Sequence, residues 1–480
     1  MPGAGSPVGP DRSSASSHAP HLTTTTGVTM THPAPSTDAP AQEPAGPAPS
    51  TKVPHRWRNL ITITGAEVVD NTEAGLLNTL FPSIAAALRL DNGHLGILSA
   101  MGKFAAIPFG PMWVWIATRI GRKQALVLNN VIGGLLGIAA GMSPGFITLL
   151  LFNTLLAGTV SSGQPLTNAI IADSFDERSR ARATGYYYGV LTAVSSFIGP
   201  VLALFSGHPD GWRWGMWIIG GICLLSSLLI TAFYREPGIG AAEAQLADLD
   251  ESRRASKVTV RGVLALFRIP SFSIMMLSRL LSGHLLITVF GIQFLVTERG
   301  FSNATAATVL VPFGLGYVIA TFLSGYAVEL LDKILPNHGR VVFIQAAQFL
   351  FAISALLGTQ FEWGPIGVYA IFWALFGATQ GMNPPVNRPI VMSVVLPELR
   401  GQAFAIFLTF FQTIAWALFS LSAGYLAEAL GIQGVFFWVL FVLMAVNGVI
   451  LGALYFTYPR DARRVTEELE ARRRSAVASA

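Results

Sequence analysis

The sequence predicts an all-α polytopic membrane protein, with twelve transmembrane helices arranged as two six-helix pseudo-repeats. Three observations predict it. Charged residues are only 12% of the 480, against ~25% in soluble globular proteins, while 52% are hydrophobic and the mean hydropathy is +0.54. Too few polar side chains remain to cover a water-soluble body of this size. From Leu60 onward, apolar stretches of the ~20 residues needed to cross a bilayer follow one another closely. A charged stretch with no span, residues 235–268, carries 11 charges and divides them six and six.

Residues 1–54 are rich in Pro, Ala, Ser and Thr. Such a composition buries too little apolar surface to fold, so it reads as a disordered cytoplasmic tail, and it lacks the apolar core of a secretion signal. The spans read 60–84, 95–117, 124–142, 146–171, 183–205, 214–234, 271–296, 303–328, 341–359, 364–392, 401–424 and 434–457. They define an N-terminal bundle over 55–234, a cytoplasmic linker over 235–268, a C-terminal bundle over 269–458 and a cytoplasmic tail over 459–480. Glycine and proline inside the spans are tolerated in membrane helices. The alternating pattern of a membrane barrel is absent. With the N-terminus inside, 25 of the 31 Lys and Arg residues lie on the cytoplasmic side, three in outer loops and three within spans. That asymmetry predicts two cytoplasmic termini and an even number of spans in the cell membrane.

Several function classes are excluded by composition. The net charge of +5 is spread over short loops, so nucleic acid is not an expected partner. Cys223, the single cysteine, can form neither an internal disulfide nor a multi-cysteine metal site. There is no phosphate-binding loop, zinc-type cluster or Gly-x-Ser-x-Gly elbow, so the sequence predicts neither an enzyme nor a cofactor. A monomer in the lipid bilayer is the expected form.

The halves repeat each other. Val114, Thr118 and Gly121-Arg122-Lys123 follow the second span, and Gly325, Glu329 and Gly339-Arg340 follow the eighth, at offsets of 211 to 218 residues. In the fourth and tenth spans Pro165 and Asn168 match Pro384 and Asn387 at an offset of 219. Parallel six-helix repeats place a solute site at their interface near the midplane.

Twelve spans, cytoplasmic termini, a charged central linker and a basic loop after the second span together resemble the major facilitator superfamily over about residues 55–460. Its loop pattern, G-x-x-x-D-x-x-G-R-K/R, is matched by Gly121, Arg122 and Lys123 with Arg119 alongside, while Val114 and Thr118 stand for the glycine and the aspartate. Gly325 and Glu329 restore both features in the second half, ahead of Arg340. The resemblance implies either gating of the cytoplasmic side or topology setting by these loop residues. Gly211-Trp212-Arg213-Trp214 and Arg235-Glu236-Pro237 are similar to bacterial members. Val69-Asp70-Asn71 followed by Phe81-Pro82 resembles the first helix of anion-symporter and Spinster-like branches, and Gly199-Pro200 is a fragment of the drug-antiporter pattern.

Charges inside a bilayer cost at least ~2.5–3.5 kcal/mol each, so each needs a reason. Six lie well inside the spans: Glu67, Asp70, Glu73, Lys103, Arg279 and Arg388. At 100° per residue the three carboxylates fall within a 120° arc of the first helix, a cavity-facing pattern. Crowded carboxyls in a cavity that alternately wets and closes can exchange a proton, so Asp70, Glu73 and Glu67 are proton-coupling candidates, against a structural charge network as the alternative. His284, 211 residues after Glu73, is a fourth candidate. Lys103 is the expected counter-ion of the acidic face or a contact for an anionic solute. Gln380, Asn383 and Asn387 share a helical face beside Arg388, and Pro384-Pro385 should kink that helix. Gln164 and Asn168 form the matching feature in the fourth span. With Lys103 and Arg279 these are the candidate solute-binding residues.

The sequence thus predicts a secondary transporter of a small organic solute, coupled to protons and working by alternating access. An uncoupled facilitator and a non-transporting sensor or scaffold are the alternatives. Symport and antiport, and a cationic or an anionic solute, stay open at this level.

Overall fold

A computed structural model describes residues 53–90, 92–203, 208, 210–246, 249, 256–336 and 338–478. The expected disordered tail falls outside the described residues up to residue 52. Among the described residues the chain is helical throughout, with no strand. Twelve helical segments follow one another. They are α1 (Arg56–Leu88), α2 (Asn92–Ile120), α3 (Arg122–Gly141), α4 (Phe146–Val160 and Gly163–Ser174), α5 (Glu177–Ala203) and α6 (Gly211–Phe233). After the linker come α7 (Pro270–Leu280 and Leu286–Thr297), α8 (Leu310–Ile334), α9 (Gly339–Gln360), α10 (Ile366–Gly381 and Pro384–Val394), α11 (400–430) and α12 (432–451). Eight of them are long and apolar enough to cross a membrane by length and composition alone; α1, α2, α5 and α10 complete the twelve.

The segment ends have local causes. Gly121 separates α2 from α3 at φ 90°, a left-handed conformation that a residue with a Cβ rarely adopts. Gly431 does the same between α11 and α12 at φ 70°. Pro270 and Pro384 each open a helix where a missing N–H costs nothing. The twelfth span ends earlier than the expected residue 457. The chain turns at Gly452 and continues as α13 (Leu454–Ala478), so the expected tail forms a docked helix over its described residues, 459–478. Val465 and Leu469 of α13 are buried against Leu246 and Leu249 of the linker, and Arg472 donates to both carboxylate oxygens of Glu398 at 2.9 and 3.2 Å.

Apolar burial is asymmetric along the bundle. At the end that carries the start of α1 and all of α13, one core joins both halves, with Leu60, Phe175 and Tyr187 packed together with Met275, Ile390 and Phe404. At the opposite end the cores stay apart, one built only from the first six helices around Leu80 and Trp212, the other only from the last six around Phe294 and Phe436. The bundle is therefore closed at the terminus-bearing end. Closure there needs close helix approach. A Cβ on Gly185 of α5 would lie 2.9 Å from the Thr321 carbonyl oxygen of α8, and one on Gly325 of α8 would lie 2.9 Å from the Arg182 Cα. The companion contact uses the small residue on the other partner: Val114 of α2 meets Gly401 of α11, where a Cβ would lie 2.9 Å from Val114 Cγ1. That exchange explains how Val114 can stand where Gly325 stands in the second half.

Charges lock the same end. Asp173, fully buried at the end of α4, pairs with Arg122 of α3 and with Arg400 of α11 at 3.4 Å, and accepts from the Gly240 N–H at 3.0 Å. Glu243 of the linker pairs with Arg180 of α5 and Arg400 of α11 at 2.6 Å each. Arg180 also donates to the Ala172 carbonyl and Arg400 to the Met392 carbonyl, so the two arginines occupy equivalent places in the two repeats. Arg340 reaches Asp332 at 2.8 Å and, across the halves, Glu177 at 3.2 Å. Glu329 pairs with Arg182 at 3.7 Å, again across the halves. Among the expected loop residues, Gly121, Arg122, Lys123, Glu329 and Arg340 thus lie in or beside this network, the N–H groups of Arg122 and Lys123 donating to Glu236. Arg119 stays apart, stacked 4.1 Å from the Trp115 ring. Thr118, donating to the Trp115 carbonyl, makes no counterpart of the Arg182–Glu329 pair.

Burial by itself would raise the Glu243 carboxyl, but Arg180 and Arg400 outweigh it and hold it down at about 2. A carboxyl lowered in the folded state stabilises it fully above its unfolded value of ~4.3 and loses that contribution as pH falls through about 2. The latch should therefore keep its strength from about pH 5 to about pH 8. Distances between spin labels at Arg178 and Lys333 should be insensitive to pH in that window. In Glu243→Gln they should lengthen, because two buried guanidiniums lose their shared charge, at a cost on the order of 3–5 kcal/mol to the closed form. Gly185→Leu should lengthen them as well, by wedging α5 from α8. Cys223 is buried, so labelling can spare it.

Candidate functional site

Between the two halves, above the closed end, lies a polar cavity in two lobes of about 320 and 420 Å³ that share Asn71, Gln164 and Gln412 on their walls. Interrupted helices surround it. α4 breaks at 161–162, α7 at 281–285 and α10 at 382–383, and α11 widens to π geometry over Ala405–Phe411. Irregular backbone at membrane depth is tolerated where it lines a cavity, and it frees polar groups for a solute. The α10 break is the expected effect of Pro384-Pro385. The α7 break was not expected; its signal is the Ser282-Gly283 pair, a turn dipeptide inside an apolar run.

The second lobe is cationic. Arg279 of α7 and Arg388 of α10 both line it, with Tyr188, Tyr317, His284, Gln380 and Asn383. Arg279 donates to Gln412 Oε1 at 2.5 Å and lies 5.5 Å from the Phe407 ring. Arg388, 5% exposed, donates to Asn387 Oδ1 at 2.6 Å and stacks 4.5 Å from the Tyr188 ring. The Nε of each is buried without a hydrogen bond. Among the described residues neither guanidinium has a carboxylate within ion-pair distance, unlike Arg122, Arg180, Arg340 and Arg400 at the closed end. Tyr188 is held by Asn168, whose amide donates to its hydroxyl at 2.9 Å. Asn168 and Asn387 therefore stand behind the wall, supporting it. Asn383 is oriented by Gln348 at 2.9 Å and by the Thr379 carbonyl, and Gln380 donates to the His284 carbonyl at 3.3 Å.

The first lobe carries the acid. Glu67 of α1, 3% exposed, lines it and accepts from the Tyr187 hydroxyl at 3.2 Å and Thr167 at 3.5 Å. Gly163 makes room, since a Cβ there would lie 2.7 Å from the Glu67 carboxyl carbon. Lys103 lines the same lobe with its ammonium 5.9 Å from the Trp416 ring. It pairs with neither Glu67 nor Asp70, so the expected counter-ion contact with those two is not formed. Asp70 also departs from the expected cavity face. It lies off both lobes, between α1, α3 and α6, accepting from the Cys223 thiol at 3.3 Å, with Cys223 in turn against Asn130. Glu67 and Asp70 stand about 60° apart on the 120° arc, enough to meet different neighbours: Glu67 turns to α4 and α5, Asp70 to α6. The Glu73 side chain lies outside the described residues. Sequence reasoning missed Gln412 and Tyr317 as wall residues, and Asp173, Glu243, Arg180 and Arg400 as the lock at the closed end. Neutral polar residues in apolar runs and charges at span ends look the same whether or not another helix meets them.

Comparison with known proteins agrees with this architecture. The Major Facilitator Superfamily profile matches residues 65–327 and again 271–479. The 3-(3-hydroxy-phenyl)propionate transporter of Escherichia coli (strain K12) is 27% identical over 259 residues, 53% of this chain and 59% of that one, so the chain spans about three-fifths of that relative's length. In fold, the E. coli fucose:proton symporter FucP superposes with a TM-score of 0.62 at 14% identity, covering 85% of this chain and 99% of that one. The human organic anion transporter MFSD10 superposes at 0.59 and 17% identity, covering 84% and 100%. With the profile matched across both six-helix halves and a polar cavity enclosed between them, the chain belongs to the Major Facilitator Superfamily of membrane transporters.

Proposed function

We propose that this protein is a proton-coupled transporter of a small organic anion, with both termini in the cytoplasm of a cell-membrane protein and its cytoplasmic side closed in the conformation described above. The observation that carries the reading is the pair Arg279 and Arg388, lining one cavity lobe with no carboxylate in ion-pair distance among the described residues. Cations in a cavity wall with no carboxylate beside them favour an anionic solute. The concentration of Lys and Arg at the terminus-bearing end supports its assignment to the cytoplasm. The E. coli 3-(3-hydroxy-phenyl)propionate transporter and the human organic anion transporter MFSD10 are both named for anionic solutes, which agrees with the charge of the lobe.

Glu67 supplies the proton site. An anion arriving at the arginines together with a proton on Glu67 leaves the net charge of the cavity unchanged, so the loaded bundle reorients at no added cost of buried charge. Gln412 joins the two lobes: it accepts from Arg279 and lines the wall beside Glu67. Asp70, off the cavity, is a structural group in this scheme. The closed end then opens by exchanging its interhalf ion pairs for water.

Uptake of labelled arylcarboxylates into proteoliposomes tests the reading. An imposed gradient, acid on the outer face, should accelerate uptake, and Glu67→Gln should abolish that acceleration while anion exchange persists. Arg388→Gln should weaken the apparent affinity roughly tenfold to a hundredfold, the ~1.5–3 kcal/mol of a charge-assisted contact, with Arg388→Lys restoring only part of it. Uptake indifferent to the gradient in the wild type would make the protein an uncoupled facilitator. Preference for a cationic solute would overturn the anion assignment.

A further inference from the structure

A second cavity, of about 740 Å³, lies away from the polar one, in a side groove at the terminus-bearing end between α1, α5 and α8. Its wall changes character along the helix axes. Trp57 and Arg182 stand nearest the end, then Tyr186 and Tyr326, whose hydroxyls bond to each other, then Ile61, Gly65 and Val190 deeper in. From Arg182 to Val190 this is ~12 Å along α5 at 1.5 Å per residue. The groove opens outward: Ile61 is 69% exposed and Tyr326 46%, on the surface that a bilayer covers. Its polar end is cationic. Glu329 is shared between Arg182 at 3.7 Å and Lys333 at 3.5 Å, so the three groups carry one net positive charge. The Arg182 Nε is buried and makes no hydrogen bond.

We propose that this groove holds one anionic phospholipid of the adjoining leaflet, with its phosphate on Arg182 and an acyl chain laid along Ile61, Gly65 and Val190. The order of the wall matches a lipid standing in that leaflet, with head group at the membrane surface and chain toward the midplane. Basic pockets between membrane helices recognise anionic head groups in this way. The groove is walled by α1 and α5 of the first half and α8 of the second, so it exists in this form only while α5 and α8 are together. A lipid bound there favours the closed end by mass action.

Native mass spectrometry of the purified full-length protein, exposed to equal amounts of phosphatidylglycerol and phosphatidylcholine, tests the proposal. One phosphatidylglycerol should be retained several-fold over phosphatidylcholine. Arg182→Gln should remove the preference, and Ile61→Trp, which fills the groove from its exposed face, should lower retention of both lipids. Ile147→Trp, at an exposed position at the far end, should change nothing. Equal retention of the two lipids, or phosphatidylglycerol binding untouched by both groove variants, would overturn the proposal. Displacement of the lipid by inorganic phosphate would reassign the site to a free anion, and a dimer abolished by Ile61→Trp would reassign it to a second copy of the chain.

Discussion

Arg180 and Arg400 arrive from opposite halves of the bundle and meet on one carboxylate, Glu243, at 2.6 Å each. Two like charges cannot be brought this close in a buried place without an anion between them. The anion comes from neither bundle but from the linker, so the segment that joins the repeats also holds them shut. Asp173 reinforces the contact by sharing Arg400 with Glu243 and taking Arg122 as well. Around this knot the apolar core is continuous across the halves, and away from it the cores separate. Linker and α13 add a second layer, through Leu246 and Leu249 against Val465 and Leu469.

The same electrostatic rule read in reverse describes the cavity. At the closed end the buried Arg122, Arg180, Arg340 and Arg400 each have a carboxylate; in the cavity Arg279 and Arg388 have glutamine, asparagine and aromatic faces instead. Those neighbours orient a guanidinium without neutralising it. Charge left uncompensated on one lobe, and a carboxyl on the other, set the cavity apart from the end that holds the halves together. Broken helices in α4, α7 and α10 give that region its polar backbone, while the intact α3, α6 and α9 carry the packing.

Much of this was legible in one dimension. Hydropathy placed all twelve segments, with ends off by up to about seven residues and the eighth, expected at 303–328 and found at Leu310–Ile334, displaced most, because a bilayer demands a long apolar run whatever the helix later touches. The repeat offsets paired Gly121 with Gly339 and Arg122 with Arg340, and both arginines do sit in interhelical charge contacts. Arg279, Arg388, Gln380 and Asn383 were identifiable because polarity inside a span is costly enough to need a purpose. The acidic face of α1 was legible as a face but not as a site. Helical periodicity orders Glu67 and Asp70 by angle, yet the neighbour at each angle decides that one lines the cavity and the other meets Cys223.

What the chain settled by itself is whatever one helix can determine alone: that it spans, where it bends at Pro384, where Gly121 ends it, and which positions are too polar for lipid. Partnership was settled by the assembled bundle. Arg180 and Arg400 read as loop charges, and Arg279 and Arg388 as charges in spans, but no property of an isolated segment tells a neutralised arginine from a free one. That difference depends on whether a carboxylate from another helix, or from the linker, lies within a few ångströms. Such a distance exists only after twelve helices, separated by up to hundreds of residues in sequence, have closed around the same end.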